Sequence, residues 1–127
     1  MSLNKNMRVV IVDDYTTMLR ILRNLLRQLD ITNVEEANDG DSAYYMMQKS
    51  PPDLVISDWN MAPVTGLDLL RKVRADAKLR HIPFIMVTAE SKTENVIAAK
   101  QAGVNNYIVK PFNAQTLKTK IEAVFAE

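Results

Sequence analysis

Apolar and polar positions alternate along the chain in blocks that repeat one two-part unit. Val9-Val10-Ile11-Val12 is a short β-branched run ending in Asp13-Asp14. It is too short and too branched for a buried helix, so Arg8 to Asp13 reads as a buried strand. From Thr16 to Leu29 the spacing turns helical: Met18, Leu22, Leu25 and Leu29 share a stripe, Leu19 and Leu26 lie beside it, and arginines fill the outer face. The unit then recurs. A short strand near Val34 to Ala37 precedes a helix from about Asp41 to Gln48, and Pro51-Pro52 breaks the chain. A third strand, Asp53 to Asp58, contains Leu54-Val55-Ile56, and its helix is expected over Leu67 to Ala77. Pro83 opens a fourth strand, Phe84-Ile85-Met86-Val87, followed by an alanine-rich helix from Thr93 to Ala102 that Gly103 terminates. Tyr107-Ile108-Val109 is a fifth strand, and a last helix from Ala114 to Phe125 places Leu117, Ile121 and Val124 on one face.

Strands alternating with helices, and central strands apolar throughout, imply a parallel sheet covered on both faces. Right-handed crossovers make this a doubly wound, flavodoxin-like α/β domain of five strands flanked by five helices. At 127 residues the expectation is one domain over 1–127 with no output domain attached.

Composition excludes several classes. With 47% hydrophobic and 24% charged residues the chain is ordinary for a soluble domain. No apolar run approaches the roughly 20 residues that span a bilayer, and the polar start, Met1 to Asn6, has no signal-peptide core, so a cytoplasmic protein is expected. The absence of cysteine rules out disulfides and thiolate metal sites. Lys plus Arg number 16 against 15 Asp plus Glu, so no global field draws the chain to nucleic acid or membrane, and local surfaces must recognise its partners.

Ligands of an open parallel sheet sit outside the carboxyl ends of its strands. The residues there are Asp13-Asp14, Asp58, Thr88 and Lys110, while the second strand, expected at the periphery, contributes nothing. Taken singly each is ordinary: a capping acid, a β-branched strand terminus, a solvated lysine. Four strand ends converging with three acids, one hydroxyl and one cation are not. Carboxylates roughly 5 Å apart repel by about 3 kcal/mol per pair at an effective dielectric near 20, so three together require a counter-charge. A hard divalent cation, Mg²⁺ with Mn²⁺ as the alternative, suits such oxygen ligands and leaves room for a phosphoryl oxygen. That cation and Lys110 would neutralise a transferring phosphoryl group while one carboxylate attacks in line. Asp58 is the preferred nucleophile, because its strand should be central and the paired acids are better placed to hold metal. Thr88 would donate its hydroxyl to a bound phosphoryl oxygen.

The stretches Val12-Asp13-Asp14-Tyr15, Ser57-Asp58-Trp59-Asn60-Met61, Met86-Val87-Thr88-Ala89-Glu90 and Val109-Lys110-Pro111-Phe112 resemble the receiver domains of two-component response regulators, and among them the CheY-like receivers of chemotaxis. The resemblance extends over essentially the whole chain, through Arg23-Asn24-Leu25-Leu26, Val34-Glu35-Glu36-Ala37 and Gln101-Ala102-Gly103. It implies the strand order 2-1-3-4-5. It implies phosphorylation of Asp58 by a histidine kinase, Mg²⁺ held by Asp14, Asp58 and the Asn60 backbone carbonyl with Asp13 acting through water, and Lys110 joined to Pro111 by a cis peptide. It makes Thr88 and Tyr107 switch residues and gives Asn60 and Glu90 a role in phosphoryl lifetime. It places the output face on the fourth helix, fifth strand and fifth helix, with Val96, Tyr107 and Lys120 at partner-contacting positions. The implied partners are a histidine kinase, the flagellar motor switch protein and a dedicated phosphatase, met by a monomer that is not a turnover enzyme. Trp59, next to the nucleophile, is suited to report on the site by fluorescence. His81 is expected in solvent and the seven methionines as gap-fillers.

Two departures from the family pattern stand out. The loop after Asn60-Met61 reads Ala62-Pro63-Val64-Thr65-Gly66, with proline one place late and threonine where the family has an acid. On the output face Thr93 and Lys100 replace the usual lysine and alanine. Other functions compete. A phosphate sink or phosphorelay intermediate would share the chemistry without meeting the motor. A haloacid dehalogenase-type phosphatase would need a second aspartate two places after the nucleophile, where Asn60 stands. A flavin-binding module would need a glycine- and hydroxyl-rich loop after Val12, which is missing.

Overall fold

Each apolar run forms a strand, and each helically spaced block packs beside it. The computed structural model describes residues 6–89 and 93–126. The elements in chain order are β1 (Val9–Val12), α1 (Thr16–Gln28), β2 (Val34–Ala37), α2 (Gly40–Lys49), β3 (Leu54–Asp58), α3 (Gly66–Ala75), β4 (Phe84–Thr88), α4 (Thr93–Gln101), β5 (Asn106–Val109) and α5 (Ala114–Phe125). The five strands are parallel in the order β2-β1-β3-β4-β5, the order the resemblance implies. The reversal of strand order falls between β1 and β3.

Because successive strand residues face opposite sides, each run feeds two cores. Val9, Ile11, Leu54, Ile56, Ile85, Val87 and Ile108 pack with Leu19, Leu22 and Leu26 of α1 and Leu117 and Ile121 of α5. Val10, Val12, Val55, Phe84 and Met86 pack on the other face with Ala43 and Met47 of α2 and Leu69, Leu70 and Val73 of α3. The α1 stripe is turned slightly from its expected position: Leu19, Leu22 and Leu26 are buried, while Met18, Leu25 and Leu29 are only partly so. They pack alongside Phe112, Val124 and Phe125, because α1 faces α5 as well as the sheet.

The helix ends follow their caps. Asp39 accepts from Ser42 N at 2.6 Å to start α2, and Asn113 accepts from Thr116 N at 2.8 Å to start α5. Helix α3 starts one residue earlier and stops two residues sooner than the expected Leu67 to Ala77. Thr65 and Asp68 form a reciprocal capping box at its start, and extended Asp76 folds back at its end to accept from Lys78 N at 2.8 Å. Thr65 therefore caps α3 itself, from the position where the family has an acid. Gly103 follows α4 with φ +95, a left-handed stop that fits the sequence expectation.

At the open edge, Arg8 bonds Glu35 of β2 (3.0 Å) and Asp53 through its backbone N–H (2.8 Å), and its guanidinium also donates to the Ser50 carbonyl. Arg23 of α1 holds Glu36 at 2.7 Å.

Candidate functional site

The sheet ladders run one residue past several strand ends and thereby fix the residues that follow. Asp13 N donates to Ala37 O at 3.1 Å, Trp59 N to Val87 O at 2.8 Å, and Lys110 N to Thr88 O at 2.8 Å. These bonds hold Asp13, Asp58 and Lys110 at one rim of the sheet, next to the place where the strand order reverses. Asp13, Asp58 and Thr88 are buried, and Asp14 is exposed.

Asp13, Asp14 and Asp58 each offer a carboxylate oxygen within 4.8 Å of the others. Lys110 Nζ lies 2.9 Å from Asp58 Oδ1 and 3.9 Å from Asp13 Oδ2. One ammonium thus faces three acids. Asp13 Oδ1 accepts from Tyr15 N at 2.9 Å, but its Oδ2 is buried with no hydrogen-bond partner, which no other side-chain polar atom is among the described residues. Burial raises the Asp13 carboxyl from 3.8 to about 6; the Asp58 and Asp14 charges add to the rise, while the Tyr15 N–H and Lys110 oppose it. A buried carboxylate oxygen without a hydrogen bond, beside two further carboxylates and one ammonium, is a site short of positive charge. A hard divalent cation fits that donor set. With it, the site can neutralise an incoming polyanion while Asp58 offers an oxygen as nucleophile.

The structure brings Asp13, Asp14, Asp58 and Lys110 together and sets Thr88 at the adjacent strand end. Asn60 is exposed in the bend after β3, beside a tight turn in which Met61 N reaches Trp59 O at 3.2 Å. Glu90 lies outside the described residues. Trp59 does not stand alone near the rim. With Met86, Thr88, Asn95, Val96, Ala99 and Tyr107 it lines a narrow apolar cleft beneath α4. Val96, Tyr107 and Lys120 form one neighbourhood: Val96 and Tyr107 share that cleft, and Lys120 Nζ sits 5.6 Å from the centre of the Tyr107 ring. His81 is exposed.

Three features of the site were not anticipated. Ala62-Pro63 is a cis peptide as well as Lys110-Pro111. Gly66 N donates to Trp59 O at 2.9 Å and brings the start of α3 directly onto the end of β3. Val64 packs on Gly40, where a Cβ would meet its Cγ1 at 2.7 Å, so the loop after β3 leans on the start of α2. The glycines that open two helices were the available signal, but which atoms approach them is a long-range fact.

Comparison with known proteins gives a consistent picture. Residues 9–122 match the response regulator receiver domain family. The chemotaxis protein CheY-3 of Vibrio cholerae is 54% identical over 123 residues, which is 97% of this chain and 95% of that protein. The chemotaxis protein CheY of Pseudomonas aeruginosa is 56% identical over 119 residues, covering 94% of this chain and 96% of that one. Among solved structures, the chemotaxis protein CheY4 of Vibrio cholerae superposes with a TM-score of 0.88 at 32% identity, covering 94% of this chain and 99% of that one. A response regulator receiver domain protein from Clostridium thermocellum gives 0.84 at 26%, covering 94% of each chain.

Proposed function

The chain belongs to the response regulator receiver domain family, and from that premise we propose that it accepts a phosphoryl group on Asp58 from the phosphohistidine of a histidine kinase and so relays a chemotaxis signal. The observation that carries this reading is the 2.9 Å contact of Lys110 Nζ with Asp58 Oδ1 beside a buried Asp13 Oδ2 that accepts no hydrogen bond. A nucleophile, its cation and an unmet negative charge share one rim.

Asp58 attacks phosphorus in line, forming an O–P bond as the N–P bond to the donor imidazole breaks and the electron pair leaves with that nitrogen. Lys110 is placed to follow the charge onto the phosphoryl oxygens. Asp13, Asp14, Asp58 and the Asn60 carbonyl would hold Mg²⁺, or Mn²⁺ in its place, which when bound supplies positive charge to those oxygens. Small phosphodonors serve the same step, and the protein removes its own aspartyl phosphate by hydrolysis, so it is a signalling acceptor and not a turnover enzyme. Asn60 and Glu90, each two positions along the chain from Asp58 and Thr88, set the lifetime of the phosphoryl group.

Thr88 donates its hydroxyl to the new phosphoryl group, and Tyr107 turns into the cleft beneath α4. The face of α4, β5 and α5, with Val96, Tyr107 and Lys120, thereby changes its affinity for partners. The chemotaxis names of the relatives support a chemotaxis role; on this reading the output partner is the flagellar motor switch protein, the input a histidine kinase, and a dedicated phosphatase resets the signal, all met by a cytoplasmic monomer. Among the described residues no helix is long and apolar enough to cross a membrane.

Acetyl phosphate with Mg²⁺ should add one phosphoryl group to the wild-type protein and none to Asp58→Asn. Full labelling of that variant would relocate the site. Capture of the motor switch protein only by the beryllofluoride-bound form supports motor output; capture of a kinase alone would make the protein a phosphate sink or phosphorelay intermediate.

A further inference from the structure

Helix α4 is held unevenly. Among its described residues only Ala99, in the second half, is buried, while Ile97 is 49% exposed and Asn95 and Val96, ahead of Ala99, are only partly buried against the cleft. The segment that leaves it, Gly103 to Asn105, is tied down by a side chain from another element. Arg74, in the last turn of α3, donates from Nε to Gly103 O at 2.9 Å and from one terminal nitrogen to Asn105 Oδ1 at 2.8 Å. Its other terminal nitrogen donates to Ile82 O at 2.7 Å and Arg80 O at 3.1 Å. Asn105 Oδ1 also accepts from Phe84 N at 2.8 Å, and Val104 N returns to Ala99 O at 3.0 Å. One guanidinium therefore joins the exit of α4, the entry of β5 and the entry of β4, at the rim opposite the acid cluster.

Among the described residues none of these acceptors is a carboxylate, so Arg74 is only partly exposed without a paired charge, and burial lowers its pKa. Neutralising a charge is not what this contact does. The planar fork supplies several donors in fixed directions, which a lysine cannot copy.

We propose that Arg74 is a positioning residue for signal output: it pins the exit of α4 and the entry of β5 as a fixed pivot, so that a change around Thr88 and Tyr107 swings the lightly packed front of α4. Without the pin, the same change is taken up by slippage at the pinned end and does not reach the outer face. This rests on Asp58 being the phosphoacceptor, and the test separates the two ideas.

Amide resonances are followed in wild type, Arg74→Met and Arg74→Lys while beryllofluoride and Mg²⁺ are added, together with acetyl phosphate labelling and hydrogen exchange. In wild type, beryllofluoride should shift Thr88, Tyr107, Ile97 and Val109. In both variants labelling of Asp58 and the Thr88 shift should persist, exchange at 99–105 should rise at least ~10-fold, and the Ile97 and Val109 shifts should shrink to less than about half, an effect set by population. Arg74→Lys, which keeps the charge and loses the fork, serves if Arg74→Met does not fold. Full-sized shifts at Ile97 and Val109 in a folded variant with freed 99–105 amides would overturn the pivot. No shift anywhere in wild type would instead bring down the phosphoacceptor reading.

Discussion

Gly66 presses against the carbonyl oxygen of Asp58 so closely that no Cβ fits between them; one built there would also stand 2.7 Å from Met86 Sδ and 2.9 Å from Trp59 Cα. Two of the three obstacles are backbone atoms, which cannot swing aside. Gly66→Ala must therefore push α3 away from the end of β3 or displace Asp58 itself. A loss of about 1–3 kcal/mol in unfolding free energy is expected, with slower acetyl phosphate labelling of Asp58. Urea unfolding and a labelling time course measure the two, and an unperturbed variant would mean that the loop yields.

Lys110 faces two buried carboxylates, and its removal leaves them unbalanced. Lys110→Ala should slow labelling of Asp58 by at least ~10-fold, because the ammonium follows the charge that develops on the phosphoryl oxygens. Mass spectrometry at a fixed donor concentration reads this, and wild-type rates would remove Lys110 from the chemistry.

The metal-free protein should become less stable as pH rises through the acid range. The Asp13 carboxyl titrates near 6 when folded against 3.8 as a reference, so between those values the folded chain holds the proton that the unfolded chain has released. Its contribution is full below about pH 4, falls as pH climbs, and is gone above about pH 6, a loss of up to about 3 kcal/mol. Mg²⁺ favours the ionised acids and should reverse the trend by stabilising most above pH 6. Asp13→Asn should flatten the metal-free curve, and Asp14→Asn, which relieves repulsion, should raise melting without metal. Urea midpoints from pH 4 to 8 with a chelator or with Mg²⁺ decide it; a flat wild-type curve would contradict the strained acid.

Thr65 occupies the place where the family has an acid and caps α3 through a box with Asp68. Thr65→Ala should cost about 1 kcal/mol, while Thr65→Asp, which caps equally well, should stay within about 0.5 kcal/mol of wild type. Thermal melts compare the three directly, and equal losses would show that the hydroxyl acts in some other way.

The fold was legible because its signals are local. The runs at Val9, Leu54 and Phe84 are short, β-branched or aromatic and apolar on both faces, and only a central parallel strand needs all of that. Asp13, Asp14, Asp58 and Lys110 were legible for a related reason, since strand ends in such a sheet share a rim. What stayed hidden depends on which backbone meets which. Gly66 looked like a loop residue, although the atom it must avoid is eight positions earlier. Arg74 carries no local mark of its role. Its one signal was position, four residues after buried Leu70 and one after buried Val73, on the border of the apolar stripe. The α1 stripe was read about one position off, because the spacing registers burial against a sheet but not the second neighbour, α5.

At the β2 edge, Glu35 and Glu36 are each gripped by an arginine from elsewhere in the fold, Arg8 and Arg23. A foreign strand trying to zip onto that border would have to break into two ion pairs and desolvate both before gaining its peptide bonds. The border is therefore guarded by charge rather than by a covering helix, and the guard should weaken in concentrated salt, when fibrous association through β2 has its easiest opening.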